Sequence, residues 1–152
     1  MKNIRNRKQM ETEKILFAYA TLLREGMPAN GRYLPDSILY NVDPNKSHPI
    51  AVTAGIMTSD APSYWNEVDV SFDGISVIDS AYDGSSRFLV WSSGRTVEGS
   101  TVTTATFELM GVKLESIGLY TVTVSLFDSD SNGEKGNMID SMNAYFVVSS
   151  EG

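Results

Sequence analysis

At 152 residues, with 41% hydrophobic and 20% charged side chains, the chain has the length of one domain and enough apolar material for a core, which excludes wholesale disorder. The formal net charge is −7, and the first ten residues hold four basic and no acidic side chains, so the remainder carries −11 and disfavours direct contact with nucleic-acid backbones or anionic membranes. There is no cysteine and a single histidine, His48, which removes disulfides, thiolate chemistry and multi-histidine metal sites, and no apolar run approaches the roughly 18 residues of a membrane span.

Residues 1–12 read as a basic arm ahead of one domain over residues 13–150. The apolar run from Ile15 to Leu23 follows Lys2, Arg5, Arg7 and Lys8, as a secretion signal would. Glu11 and Glu13 interrupt that pattern and Arg24 and Glu25 close it, so it reads as a core element, and a cytoplasmic location is expected. Thr12 and Glu13, then Ile15, Leu16, Tyr19, Leu22 and Leu23, with Gly26 behind, fit a capped amphipathic helix. The same residues fit a strand buried on both faces, and that reading is preferred.

From about residue 32 onward, short strands alternate with turn clusters. Candidates run over 33–42, 50–58, 74–78, 87–92 and 102–114, separated by turn signals such as Asp43-Pro44-Asn45, Asp73-Gly74, Asp83-Gly84 and Asn132-Gly133. Between them lies Val68, Val70 and Phe72, alternating with Glu67, Asp69, Ser71 and Asp73. The clearest strand starts at Gly118, where Tyr120, Val122, Val124 and Leu126 share one face and Thr121, Thr123 and Ser125 the other. Met142, Ala144, Phe146 and Val148 form a further apolar face. The Ser/Thr-rich stretch 92–106 reads as a loop leading into a strand. The expected fold is an all-β antiparallel sandwich of eight or nine strands, because one-sided alternation suits antiparallel pairing.

The segment Leu114-Glu-Ser-Ile-Gly-Leu-Tyr-Thr-Val-Thr-Val resembles the Gly-x-Tyr-x-Val-x-Val entry into a late strand of immunoglobulin-like sandwiches. With Phe17-Ala-Tyr-Ala-Thr early in the chain, the layout is also similar to small bacterial β-sandwich proteins of unassigned function. The motif-like part covers residues 114–128, and it implies a fold without implying an activity. Antibody-type domains carry a cysteine pair that this chain lacks.

Asp128, Asp130 and Asn132, with Gly133 next, have the spacing of the first half of a calcium loop, where oxygens at alternate positions surround a hard cation. The acid that should close the loop is replaced by Ile139, so a hairpin connection competes with a calcium site. Glu67, Asp69, Asp73, Asp79 and Asp83 offer carboxylates for a metal, a hydrolytic pair or a partner, against the plainer reading of a solvated face. Tyr64 and Trp65 follow the turn Ala61-Pro62-Ser63 and are candidates for a contact patch, since rigid aromatics favour interfaces; Trp91 suits a core or edge position.

No Gly-x-Ser-x-Gly elbow, phosphate loop or paired-glycine fingerprint occurs, so no enzymatic activity is expected. The preferred expectation is a module that binds a protein partner, with Tyr64, Trp65, Glu67, Asp69 and Asp73 as candidate contacts. Two alternatives stand beside it. One is a calcium-assisted carbohydrate-binding or surface module; the other is an acidic inhibitor of phage type that occupies the basic nucleic-acid cleft of a host defence protein.

Overall fold

The computed structural model describes residues 13–28, 32–59, 63–79 and 86–151. Strands occupy most of them: β1 (Lys14–Leu22), β2 (Ile38–Tyr40), β3 (Ser47–Ser59), β4 (Tyr64–Phe72), β5 (Ile75–Ser76), β6 (Ser86–Arg95), β7 (Ser100–Lys113), β8 (Gly118–Ser129) and β9 (Lys135–Ser149). Residues 1–12, where the basic arm was expected, and Asp83 lie outside the described residues.

The strands form two sheets, β1-β3-β7-β6 and β2-β9-β8-β4-β5. Pairing is antiparallel throughout except where β2 runs parallel to β9. The expectation of purely antiparallel sheets is therefore corrected at one edge. A parallel pair needs a long crossover, and here most of the chain supplies it. Among the described residues no helix is long and apolar enough to cross a membrane.

Alternation explains the packing. On β8, Tyr120, Val122, Val124 and Leu126 are all essentially buried, and they meet Val70 of β4 and Phe146 and Val148 of β9 in one core. The opposite sheet contributes Ile15, Ala20, Ile50, Val52, Ala54, Ile56, Phe107, Leu109 and Val112. At the base of the core the Tyr120 ring stacks on Phe146 at 5.3 Å and leans on Phe72 at 4.9 Å. Its hydroxyl donates to the Ser116 carbonyl at 2.7 Å and accepts the Ser116 amide at 3.1 Å, pinning the connection between the sheets. Burial pushes this phenol's pKa up; the hydrogen bond to Ser116 opposes that and the nearby Glu115 charge adds to it.

The helix alternative for residues 12–23 is overturned, since 14–22 form the edge strand β1. A bulge between Ile15 and Phe17 resets the alternation. Ile15 and Ala20 then face the core, while Phe17 lies on the outer face across Gly55, where a Cβ would collide with its ring. β3 is buried on both sides from Ile50 to Ile56 for a different reason. The segment 32–36 crosses the outer face of its sheet: Tyr19 donates its hydroxyl to the Tyr33 carbonyl at 2.5 Å, Thr21 donates to the Leu34 carbonyl at 2.7 Å, and Tyr33 reaches Glu108 of β7 at 3.3 Å. Residues 92–95, expected as part of a loop, instead end β6, and a four-residue turn at 96–99 leads directly into β7.

The two flanks of the sandwich differ. On one, β1 lies against β9 and β8. The Ile15 amide donates to Asp140 of β9 at 2.8 Å, joining the two sheets. On the other flank β6 ends one sheet, and β4 ends the other except where the two-residue β5 covers Ser71 and Phe72.

Candidate functional site

The open flank holds a cleft of about 630 Å³, within the range of ligand-binding clefts. One wall is β4 with the adjoining part of β8: Tyr64, Trp65, Asn66, Glu67, Val68, Asp69, Thr123 and Ser125. The other is the core-facing side of β6 and β7, with Phe88, Phe107 and Leu109. Four of the five residues expected at a binding site, Tyr64, Trp65, Glu67 and Asp69, thus line one cleft. Asp73 does not join them. It sits at the tip of the β4–β5 hairpin, where Asp73 and Gly74 both have positive φ (50° and 79°), the two-residue turn that such pairs favour.

Register shows why the cleft exists. Phe88 pairs with Phe107 and Val90 with Ala105, so both side chains of β6 point to the core side of the sheet. They remain 49% and 52% exposed, because the opposite sheet does not extend over them. The Phe88 ring touches only the inner neighbour Phe107 among described aromatics, at 5.0 Å.

The β4 edge is short of partners for a related reason. β5 pairs with Ser71 and Phe72 alone, and Val77 adds one bond from its amide to the Val70 carbonyl at 2.8 Å. In an antiparallel ladder both backbone groups of a residue point to the same side, and successive residues alternate. With Val70 turned away from β8, Val68, Asn66 and Tyr64 also direct their N–H and C=O groups out of the edge. The Asn66 side-chain oxygen is buried with no hydrogen-bond partner among the described residues. An orphaned acceptor of this kind costs about 1–3 kcal/mol until a donor reaches it.

The candidate side chains differ in what they do. Tyr64 is half-buried and structural: its hydroxyl donates to Glu13 at 2.5 Å and accepts the Ser59 amide at 3.0 Å. Trp65 is 43% exposed on the outer face, with its indole N–H held by the Gly133 carbonyl at 3.1 Å. Glu67 pairs with Lys135 at 2.5 Å and Asp69 accepts from Ser76 at 2.6 Å. Asp79 lies apart, beside Lys113 at 3.8 Å. Trp91 is half-buried on the edge strand β6, where its indole donates to Thr106 at 3.3 Å.

The calcium candidates fold into a hairpin connection. Asp130 spends one carboxylate oxygen on the amides of Asn132 and Glu134, at 2.8 and 2.9 Å. Asp128 is buried in the ladder and accepts the Asn137 amide at 2.7 Å. Asn132 is exposed at the tip. Among the described residues no group of three or more His, Asp or Glu side chains could hold a metal ion.

Sequence reasoning missed Phe88, Phe107, Leu109 and Asn66. The available signal was the run Phe88-Leu89-Val90-Trp91, four apolar residues without the polar alternation of β4 and β8. No protein-family model matches the chain, and no curated protein is detectably similar to it.

Proposed function

We propose that this protein is a non-enzymatic interaction module of immunoglobulin-like topology, which engages a polypeptide partner along the flank between β4 and β6. The strand orders support the topology. β1-β3-β7-β6 and β9-β8-β4 follow the ABED and GFC sheets of such domains, with β2 added beside β9. Tyr120 adds to this, because a tyrosine at the start of a late strand that bonds back to the preceding corner is a mark of these sandwiches. Val52 and Ala54 of β3 and Val122 and Val124 of β8 belong to one apolar core, the region where antibody-type domains carry their inter-sheet disulfide.

The observation that carries the functional reading is the half-exposure of Phe88 and Val90, two side chains that point to the core side of a sheet. A neighbouring unpaired strand edge and an unsatisfied Asn66 oxygen accompany them. An extended segment laid along β6 would satisfy backbone groups by strand addition and cover both side chains. The carboxylates nearby favour binding over chemistry, since Glu67 and Asp69 are engaged with Lys135 and Ser76.

The test compares baits. Wild-type protein, Phe88→Glu and Thr121→Lys, the last on the outer face of β8, are exposed to lysate of the native host, and retained proteins are identified by mass spectrometry. A partner kept by wild type and Thr121→Lys and lost by Phe88→Glu is the expected result. Identical retention by all three would refute the reading.

A further inference from the structure

The same flank has features that select its occupant, and we infer that it is β6 of a second copy of this chain, paired antiparallel about a two-fold axis at Leu89. This rests on the reading of the open flank as the recognition surface and names the partner. β6 ends its sheet, with no described strand beyond it. A two-fold contact requires a surface that complements itself, and the sequence of β6 does so in this register. Phe88 of each copy falls opposite Val90 of the other, on the cleft side, so the contact contains this pair twice. Aromatic against β-branched is a favourable cross-strand combination. With the axis at Leu89, neither Arg87 nor Arg95 falls opposite its own counterpart in the sequence.

The bulge between Val90 and Ser92 limits the regular edge to its first half, which keeps the pairing short and prevents open-ended sheet growth. Two four-stranded sheets then join as one eight-stranded sheet, and the half-exposed Phe88 and Val90 of both copies become covered. Each whole chain carries −7, so the copies repel at long range and added salt strengthens the dimer.

The absence of native cysteine makes the register directly testable. Leu89→Cys places one thiol on the axis of each copy, close enough for a disulfide between them. Mild oxidation should convert most of this variant to a covalent dimer on a non-reducing gel. Leu119→Cys, exposed on the outer face of the other sheet, should stay monomeric. In parallel, sedimentation of the wild type across rising concentration should shift from one to two chain masses. Phe88→Glu should raise the dissociation constant at least about tenfold, as burial of an unpaired charge demands. Wild type that stays monomeric throughout overturns the proposal, and so does cross-linking of Leu119→Cys equal to that of Leu89→Cys. The sedimentation arm needs no cysteine and stands even where Leu89→Cys folds poorly. A monomeric wild type that still loses a captured protein on Phe88→Glu rejects the second copy and keeps the broader reading; loss of neither effect rejects both.

Discussion

The two flanks of this sandwich are built from the same kind of strand and end differently. At the β1 flank, Ile15 points inward and is fully buried, and its amide bonds across to Asp140 of the opposite sheet. At the β6 flank, Phe88 and Val90 point inward just as Ile15 does, yet half of each surface remains open. Inward direction is a property of local alternation; burial depends on whether the facing sheet reaches that far. The β1 edge is closed by β9, whereas β4 stands back from β6 and its own edge is covered only near the β5 hairpin. Under the proposed function, the contrast places stability at one flank and recognition at the other.

Mutation should expose that division. The largest effect is expected at the closed flank, where Ile15→Ala should lower stability by about 2–5 kcal/mol, the cost of deleting a large core side chain. Phe88→Ala, a bigger truncation at the open flank, should cost less, about 1–2 kcal/mol, because half of the side chain is already in solvent and what it loses is the contact with Phe107 and the other half of its burial. Urea titrations of both variants measure this directly. Equal losses would break the comparison.

A pH-dependent effect of intermediate size should sharpen it. Tyr120→Phe removes both hydrogen bonds to Ser116 and should cost about 1–2 kcal/mol at neutral pH. The folded phenol ionises above the unfolded value of 10.0. Below that value the advantage of the neutral buried phenol is fully present. As pH rises past it, the unfolded chain loses its proton first and the wild type loses stability. The difference between wild type and Tyr120→Phe should therefore shrink above pH 10.0. A difference that is constant or grows would contradict the burial argument.

Much of the fold was legible in the sequence because period-two alternation is local. The inward faces of β4, β8 and β9 could be read from Val68, Val70 and Phe72, from Tyr120 to Leu126, and from Met142 to Val148. β1 was ambiguous because its bulge shifts the alternation and its outer face is only partly covered. Thr21 is buried there, whereas Phe17 is 41% exposed, so the expected burial on both faces holds only toward the end of the strand. The continuous burial of β3 depends on Tyr33 and its neighbours crossing the sheet, a contact that no local pattern announces. The candidate site was half legible. Tyr64 and Trp65 drew attention as aromatics after a turn, but only geometry separates the pinned Tyr64 from the exposed Trp65. Phe88 and Asn66 acquire meaning only once β4 and β6 face each other across a gap, and that arrangement comes from sheet order.

Smaller effects follow at the cleft and the hairpin. Asn66→Leu removes an acceptor that has no partner and should leave stability unchanged or raise it by up to about 1 kcal/mol, while weakening partner binding. A clear loss of stability would mean that the oxygen is satisfied in solution. At the β8–β9 hairpin, thermal melts in EDTA and in millimolar calcium should overlay, because Asp130 already serves two backbone amides. A calcium-dependent rise that vanishes in Asp128→Ala and Asp130→Ala would instead favour the calcium-assisted module.

The most direct measurement is backbone hydrogen exchange of the protein alone and loaded with its partner, whether a second copy at high concentration or a protein retained from the host. The account predicts that new protection appears along β6 over residues 86–90 and along the β4 edge at Tyr64, Asn66 and Val68, with β1 and β9 unchanged. Protection that appears instead on the outer faces of the sheets, or at the β1–β9 flank, would contradict it.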